Sequence, residues 1–133
     1  LIGEANVVID GMDNFDGRFA VNWACVSKRI PFIHAGVYGF LGQIMTIIPG
    51  QTPCFSCMFP HPPKKRPVVP VFGMTPGLMA CLQVTEAIKL LAGFGTLLAG
   101  KMLYVNSETM EFNIVNIPRR PDCGICGAVG DIL

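Results

Sequence analysis

The sequence predicts a single α/β domain fastened by a four-thiolate metal site. Three observations carry that expectation. A β-branched run at residues 5–9, Ala5-Asn6-Val7-Val8-Ile9, leads straight into a helical pattern, the first half of a βαβ unit. A second, strongly apolar helical pattern runs from Thr75 to Gly93. Cys54-Phe-Ser-Cys57 and Cys123-Gly-Ile-Cys126 form two C-x-x-C hooks, the ligand spacing of a structural tetrahedral site.

The first strand ends in Asp10, Gly11, Met12, Asp13 and Asn14. Asp13 or Asn14 can cap the helix that follows to about Lys28. Phe15, Phe19, Trp23 and Val26 recur at helical spacing and read as one stripe packed in the core. In open α/β sheets ligands gather at the carboxyl ends of strands, where Asp10 and Asp13 fall. Residues 31–35 read as the next strand. Gly36, Gly39 and Gly42 then mark a flexible connection or a bulged strand start. Residues 43–48 form a second apolar run, ended by the turn Pro49-Gly50. Residues 58–73 hold Pro60, Pro62, Pro63, Pro67 and Pro70, so they read as an irregular crossover.

Thr75 suits the N-cap of the apolar helix, Pro76 its first turn and Gly93 its stop. Gln83, Thr85, Glu86 and Lys89 are its polar strip, and apolar residues cover nearly every other side. Such a helix is expected to pack on a sheet and against a partner, such as its own copy. Residues 101–105 and 111–117 read as two strands joined through Asn106-Ser107-Glu108-Thr109 in a hairpin. No repeat or linker calls for a second domain, so residues 1–133 form one.

Composition narrows the function. The chain is 51% hydrophobic and 14% charged, against about 25% charged in an average soluble domain. Residues 30–63 carry no Lys, Arg, Asp or Glu, but prolines and glycines break them before ~20 apolar residues accumulate. A large buried interface or a missing partner segment therefore explains the mean hydropathy of +0.50 better than a membrane span. A net charge of +1 leaves no footprint for nucleic acid. Lys64-Lys65-Arg66 reads as a solvated crossover. Arg119-Arg120 precedes the second hook, so the two basic groups could converge there on an acidic partner tail.

The hooks lie about 65 residues apart, and a shared ion would offset the entropy of closing so long a loop. Zinc is the usual occupant of four thiolates. A rubredoxin-like iron site uses the same ligands, and disulfides are the other use of such pairs. Cys25 and Cys81 read as small buried thiols, His34 as a strand-end core residue and His61 as loop surface. Metal-bound cysteines without a signal peptide or anchor fit a reducing, cytoplasmic compartment.

Several stretches in order resemble one family: Asp10-Gly-Met-Asp13-Asn14-Phe-Asp-Gly-Arg18, Gly39-Phe-Leu-Gly42-Gln43, the first hook, the Glu86-Ala87-Ile88-Lys89 helix and the second hook. The chain is similar to the ThiF/MoeB/HesA proteins, bacterial relatives of ubiquitin-activating enzymes, from about Ala5 to Gly127. The resemblance implies the C-terminal part of a Rossmann-like ATP-binding fold, a structural zinc on Cys54, Cys57, Cys123 and Cys126, and a homodimer. It implies adenylation of the C-terminal glycine of a ubiquitin-like sulfur-carrier protein. Asp13 would serve Mg-ATP, with Asn14 and Arg18 supporting that corner. The bland alternative makes Asp13 a helix cap and Arg18 half of a surface ion pair.

The family's glycine-rich nucleotide loop lies upstream of the matched element, and the chain holds no G-x-G-x-x-G. The catalytic cysteine that many members carry would fall near Arg66, and no cysteine lies between Cys57 and Cys81. A non-catalytic zinc module for dimerisation or docking is therefore the competing reading, and an electron-transfer iron site a third.

Overall fold

The computed structural model of the protein describes residues 2–64 and 68–127. Among them a five-stranded sheet runs in the order β1 to β5, so neighbours in sequence are neighbours in space. The strands are β1 (Val8–Ile9), β2 (Phe32–Tyr38), β3 (Leu41–Ile47), β4 (Lys101–Asn106) and β5 (Glu111–Asn116). β1 and β2 pair in parallel, with Val8 beside Phe32, and the helix α1 (Phe15–Lys28) connects them. All later pairings are antiparallel. The predicted βαβ unit is thus present, with β1 shorter than residues 5–9. Ala5 and Asn6 are exposed, so nothing there rewards extension of the strand.

Strand alternation divides the core into two layers. On one face Phe32, Met45, Ile47 and Met102 pack with Cys25 and Val26 of α1, with Phe55 of α2 (Phe55–Met58), and with the four hook cysteines. On the other face Ile33, Ala35, Ile44 and Val105 pack under Met79 and Ala87 of α3 (Met74–Ala92). Phe15 and Phe19 border the first layer as expected, but Trp23 is 60% exposed. Eight residues of helix carry it about 80° round from Phe15, past the edge of the buried stripe.

The three glycines at 36, 39 and 42 are neither a flexible link nor a bulge. They belong to a tight β2–β3 hairpin in which Tyr38 pairs with Leu41. Gly39 takes φ +58° at the turn, a conformation that favours glycine. A Cβ at Gly42 would overlap the Met79 side chain, so this glycine lets α3 lie close on β3.

α3 departs from expectation in three ways. Its N-cap is Gly73, and Thr75 lies inside the first turn, fully buried, donating its hydroxyl to the Gly39 carbonyl at 2.8 Å. Cys81 is exposed rather than buried, whereas Cys25 is buried as expected. Most consequentially, two members of the polar strip face inward, while Thr85 is exposed. Gln83 and Glu86 are buried, while Val84, Ile88 and Leu91 stand 49%, 53% and 58% exposed. The inversion has a cause in backbone groups at the sheet. Gln83 donates to the carbonyls of Asp10 (3.0 Å) and Ile33 (3.1 Å). Glu86 accepts from the Thr46 hydroxyl (2.5 Å) and the Leu98 N–H (2.8 Å) and pairs with Lys89. Gly93 ends the helix as expected, in the left-handed region at φ 69°.

The β4–β5 hairpin forms as expected, its turn centred one residue later than predicted, and β5 is an edge strand exposed along its length. Lys65 and Arg66 of the basic run lie outside the described residues. No helix is long and apolar enough to cross a membrane among the described residues.

Glu86→Ala should remove about 2–4 kcal/mol of stability, because it strands the buried Thr46 hydroxyl and the Leu98 amide and leaves the Lys89 ammonium only the Thr96 carbonyl. Urea unfolding checks this, and an unchanged midpoint would refute the clamp.

Candidate functional site

The loop after β3 delivers the first hook and the tail after β5 delivers the second. All four Sγ atoms of Cys54, Cys57, Cys123 and Cys126 lie within 4.8 Å of one another, and all four residues are buried. Cys54 Sγ is 3.7 Å from Cys123 Sγ, and Cys57 Sγ is 3.3 Å from Cys126 Sγ. A disulfide needs about 2.05 Å, so these are free thiols. A tetrahedral ion with bonds of about 2.3 Å needs sulfurs about 3.8 Å apart, and the cluster fits that requirement. Burial, with the neighbouring thiols adding to it, pushes the Cys54 thiol up. Burial likewise pushes Cys57 up to about 11. For Cys123 burial is outweighed by the backbone N–H groups of Cys126 and Ile125 and by the thiols of Cys57 and Cys54, and its value falls to about 7. Four thiols held together in this way suit a thiophilic cation, which would compensate their charge once deprotonated.

Arg119 and Arg120 both have partners within the chain, and Lys65 and Arg66, with which they were expected to converge, lie outside the described residues. Arg119 donates to the carbonyls of Cys126 and of Gly50 (3.3 Å), so it braces the second hook against the loop that carries the first. Arg120 pairs with Asp122 at 2.8 Å on the surface. His61 is exposed, as expected, and lines a hollow of about 410 Å³ that also borders Cys123 and Ile125 of the second hook.

The second assembly sits at the carboxyl end of β1. Asn14 is the cap of α1, accepting from Gly17 N at 2.7 Å. That leaves Asp13 out of the capping role. It stands exposed one residue earlier, accepting from the Asn14 side-chain amide at 2.7 Å. Arg18 is not part of a surface pair. Its Nε donates to the buried Asp10 carboxylate at 2.9 Å, and its Nη2 donates to the carbonyls of Met12 (2.6 Å) and Ala35 (3.3 Å). The guanidinium thus closes the turn over residues 11–14 onto β2. A cleft of about 260 Å³ opens beside this turn, lined among others by Asp10, Met12, Arg18, Gly36 and Gln83.

Sequence reasoning missed the bonds of His34 and Gln43 in this corner and of Asn22 at the first hook. His34 lies inside β2 rather than at its end, is 1% exposed, and has Nδ1 2.7 Å from Asp10 Oδ2. Gln43 reaches the other ring nitrogen at 3.2 Å. Asn22, fully buried, accepts from Phe55 N at 2.9 Å and so fixes the first hook to α1. Burial pushes the Asp10 carboxyl up, but the bonds from His34 and Met12 N and the charge of Arg18 outweigh it, and the net value is lowered. Burial pushes the His34 imidazole down, against the pull of Asp10.

The sequence profile of the ThiF family matches residues 1–125. The chain belongs to the ThiF family. This ThiF-family chain is 37% identical over 135 residues to the SAMP-activating enzyme E1 of Haloferax volcanii, covering 98% of this chain and 50% of that protein. It is 39% identical to protein HesA of Nostoc sp., covering 96% and 51% respectively. It is 36% identical to the adenylyltransferase and sulfurtransferase MOCS3 of Sus scrofa, covering 96% and 29%. The chain thus spans about half the length of the first two curated relatives. Among solved structures, Escherichia coli MccB with ATP superposes with a TM-score of 0.78 at 24% identity, over 93% of this chain and 40% of that one, and shares the mixed α/β fold.

Acid should weaken the corner. The folded chain holds the His34 proton less tightly than the unfolded chain does. Its contribution is therefore complete above the unfolded value of 6.5 and declines as pH falls through the lower folded value. Asp10 acts in the same direction below its unfolded value of 3.8. Urea stability should therefore fall more steeply from about pH 7 to 5 in the wild type than in His34→Asn. Parallel curves would contradict the assignment.

Proposed function

We propose that this chain is the C-terminal half of an adenylation domain that activates the C-terminal glycine of a ubiquitin-like sulfur-carrier protein. The observation that carries the reading is the locked turn over residues 11–14. Asp10 and Arg18 hold it through Met12. Asp10, Gly11 and Met12 line the cleft, and Asp13 is the exposed residue that follows Met12. The names of two relatives, a SAMP-activating enzyme and an adenylyltransferase, support the same chemistry.

In that reaction a carboxylate oxygen of the carrier forms a bond to the α-phosphorus of ATP. The bond from that phosphorus to the bridging oxygen breaks, and pyrophosphate leaves with the electron pair. Asp13 would hold magnesium, which supplies offsetting charge for the phosphates. Asn14 and Arg18 would support that corner, Asn14 by capping α1 and Arg18 by pinning the turn to Asp10 and Ala35. Cys54, Cys57, Cys123 and Cys126 would hold a structural zinc. The outward seam of α3 (Met74, Gly77, Cys81, Val84, Ile88 and Leu91) alternates steps of three and four residues, as in a helix-packing face. It suits a homodimer contact. The reducing cytoplasm suits the free thiols. Neither nucleic acid nor membrane enters the reading.

The same seam, with no cysteine between Cys57 and Cys81, favours the second reading, a zinc-bound dimerisation or docking module. ATP–pyrophosphate exchange with a ubiquitin-like carrier separates the two. We expect exchange from a protein that joins this chain to an upstream glycine-rich loop. No exchange, with zinc retained, would favour the docking module.

Asp13→Ala in that longer protein should cut exchange about 100-fold or more with the melting temperature unchanged. Normal exchange would remove Asp13 from the mechanism. Cys57→Ser and Cys123→Ser should each lose the metal and melt earlier. Unchanged metal content and melting would sink the zinc site, and visible absorption by the wild type would assign iron instead.

A further inference from the structure

We propose that His34 is a positioning residue for the adenylation corner: its imidazole fixes the Asp10 carboxylate and, through it, the turn that presents Asp13. The proposal rests on the adenylation reading above.

The hydrogen-bond directions select one state of the ring. Gln43 presents its amide nitrogen, a donor, to His34 Nε2 at 3.2 Å. Nε2 must therefore accept, which places the ring proton on Nδ1. That N–H donates to Asp10 Oδ2 at 2.7 Å. The neutral ring thus has a defined tautomer, as in other His–carboxylate pairs where the far nitrogen's partner decides which nitrogen is protonated. Burial pushes the imidazole pKa down and so favours this neutral form. The charged groups that face the ring are Asp10 and Arg18, from β1's end and from α1, and β3 contributes the uncharged Gln43.

The Asp10 carboxylate is consequently held at three points. Oδ2 receives His34 Nδ1–H and Arg18 Nε–H, and Oδ1 receives the Met12 N–H at 2.8 Å. Met12 also gives its carbonyl to Arg18 Nη2. Both peptide groups that Met12 contributes are therefore fixed, and Asp13 is the next residue. Without His34 the carboxylate can rotate about its last torsion and trade Met12 N–H for water. Below the ring Phe55 packs edge-on with centroids 4.8 Å apart, and its own N–H is held by Asn22. A ring that only filled space would not need the donor, and this is what separates the two roles.

The test compares His34→Leu, which keeps bulk without a donor, with His34→Asn, whose amide nitrogen takes about the place of Nδ1. Both are made in the longer protein and assayed by Mg-ATP-dependent pyrophosphate exchange with melting curves alongside. His34→Leu should lower kcat about 10-fold or raise the magnesium requirement by a similar factor, with KM for the carrier unchanged. His34→Asn should recover to within about 3-fold of wild type. Wild-type kinetics in His34→Leu, or equal damage in both variants, would overturn the proposal. Nitrogen-15 NMR of the imidazole gives an answer that needs no activity and no foldable variant. An Nδ1–H tautomer supports the proposal and an Nε2–H tautomer overturns it. A wild type without exchange would sink the adenylation reading while the NMR result still judged the geometry.

Discussion

Everything after β3 depends on bringing Cys123 and Cys126 back to Cys54 and Cys57, partners separated by 69 positions. The enclosed segment contains α3, β4 and β5, which is most of one core layer and two of the five strands. Closing a loop of that length is entropically unfavourable, and its cost rises only slowly with length. The fold spreads the closure over nested contacts. β4 returns to β3 just upstream of the first hook, with Ile44 beside Leu103. Arg119 then ties the carbonyls of Gly50 and Cys126 together across the mouth of the loop. The sulfurs complete a closure already begun by backbone pairing. This is why a metal can add stability here without having to organise the whole segment by itself.

The inverted face of α3 resolves the tension in the composition. A helix that buries Glu86 pays a desolvation penalty of several kcal/mol unless every oxygen is answered. Thr46, Leu98 N and Lys89 answer them. The apolar residues displaced outward, Val84, Ile88 and Leu91, then account for part of the high hydropathy without any membrane segment. Already about half covered, each would contribute about 1 kcal/mol more if fully buried. The charged residues of the helix, Glu86 and Lys89, are occupied with each other, so the outward seam is electrically neutral. A neutral apolar seam can meet its own copy without placing like charges together.

The cysteine site was legible because its signal is local: two short spacings and a chain long enough to join them. The C-cap of α3 was legible from Gly93 and the β4–β5 hairpin from its polar turn, whereas α1 ends near Lys28 on Arg29, a non-glycine in the left-handed region. The burial of α3 was not, because periodicity identifies a stripe but not its direction. Gln83 and Glu86 form one stripe, and only the backbone groups awaiting them at Asp10, Ile33 and Leu98 decide that it turns inward. His34 was read as a core residue and is one, but its bond to Asp10 gave no signal, since a lone histidine in an apolar strand reads as filler until the strand beside it is known. Asp13 and Arg18 were singled out in the sequence, but their geometry was not legible there. Asp13 was equally a cap until Asn14 took that place, and Arg18 looked like surface until Asp10 was found beneath it.

One pattern that could have been read joins the two sites. Asn14, Arg18 and Asn22 follow one another at intervals of four, so they lie along one face of α1. Asn14 caps the helix beside the turn, Arg18 pins that turn to Asp10, and Asn22 holds the Phe55 N–H at the first cysteine hook. Phe55 in turn packs against His34, which holds Asp10 from the other side. The hook and the corner are therefore two ends of one closed circuit: α1 on one side, and Phe55 with His34 on the other. A displacement of the hook moves Phe55, and Phe55 supports the ring that orients the carboxylate. On this geometry a metal held at the hook would bear on where Asp13 stands, because Asn22 and Asn14 lie two turns apart on the same helix.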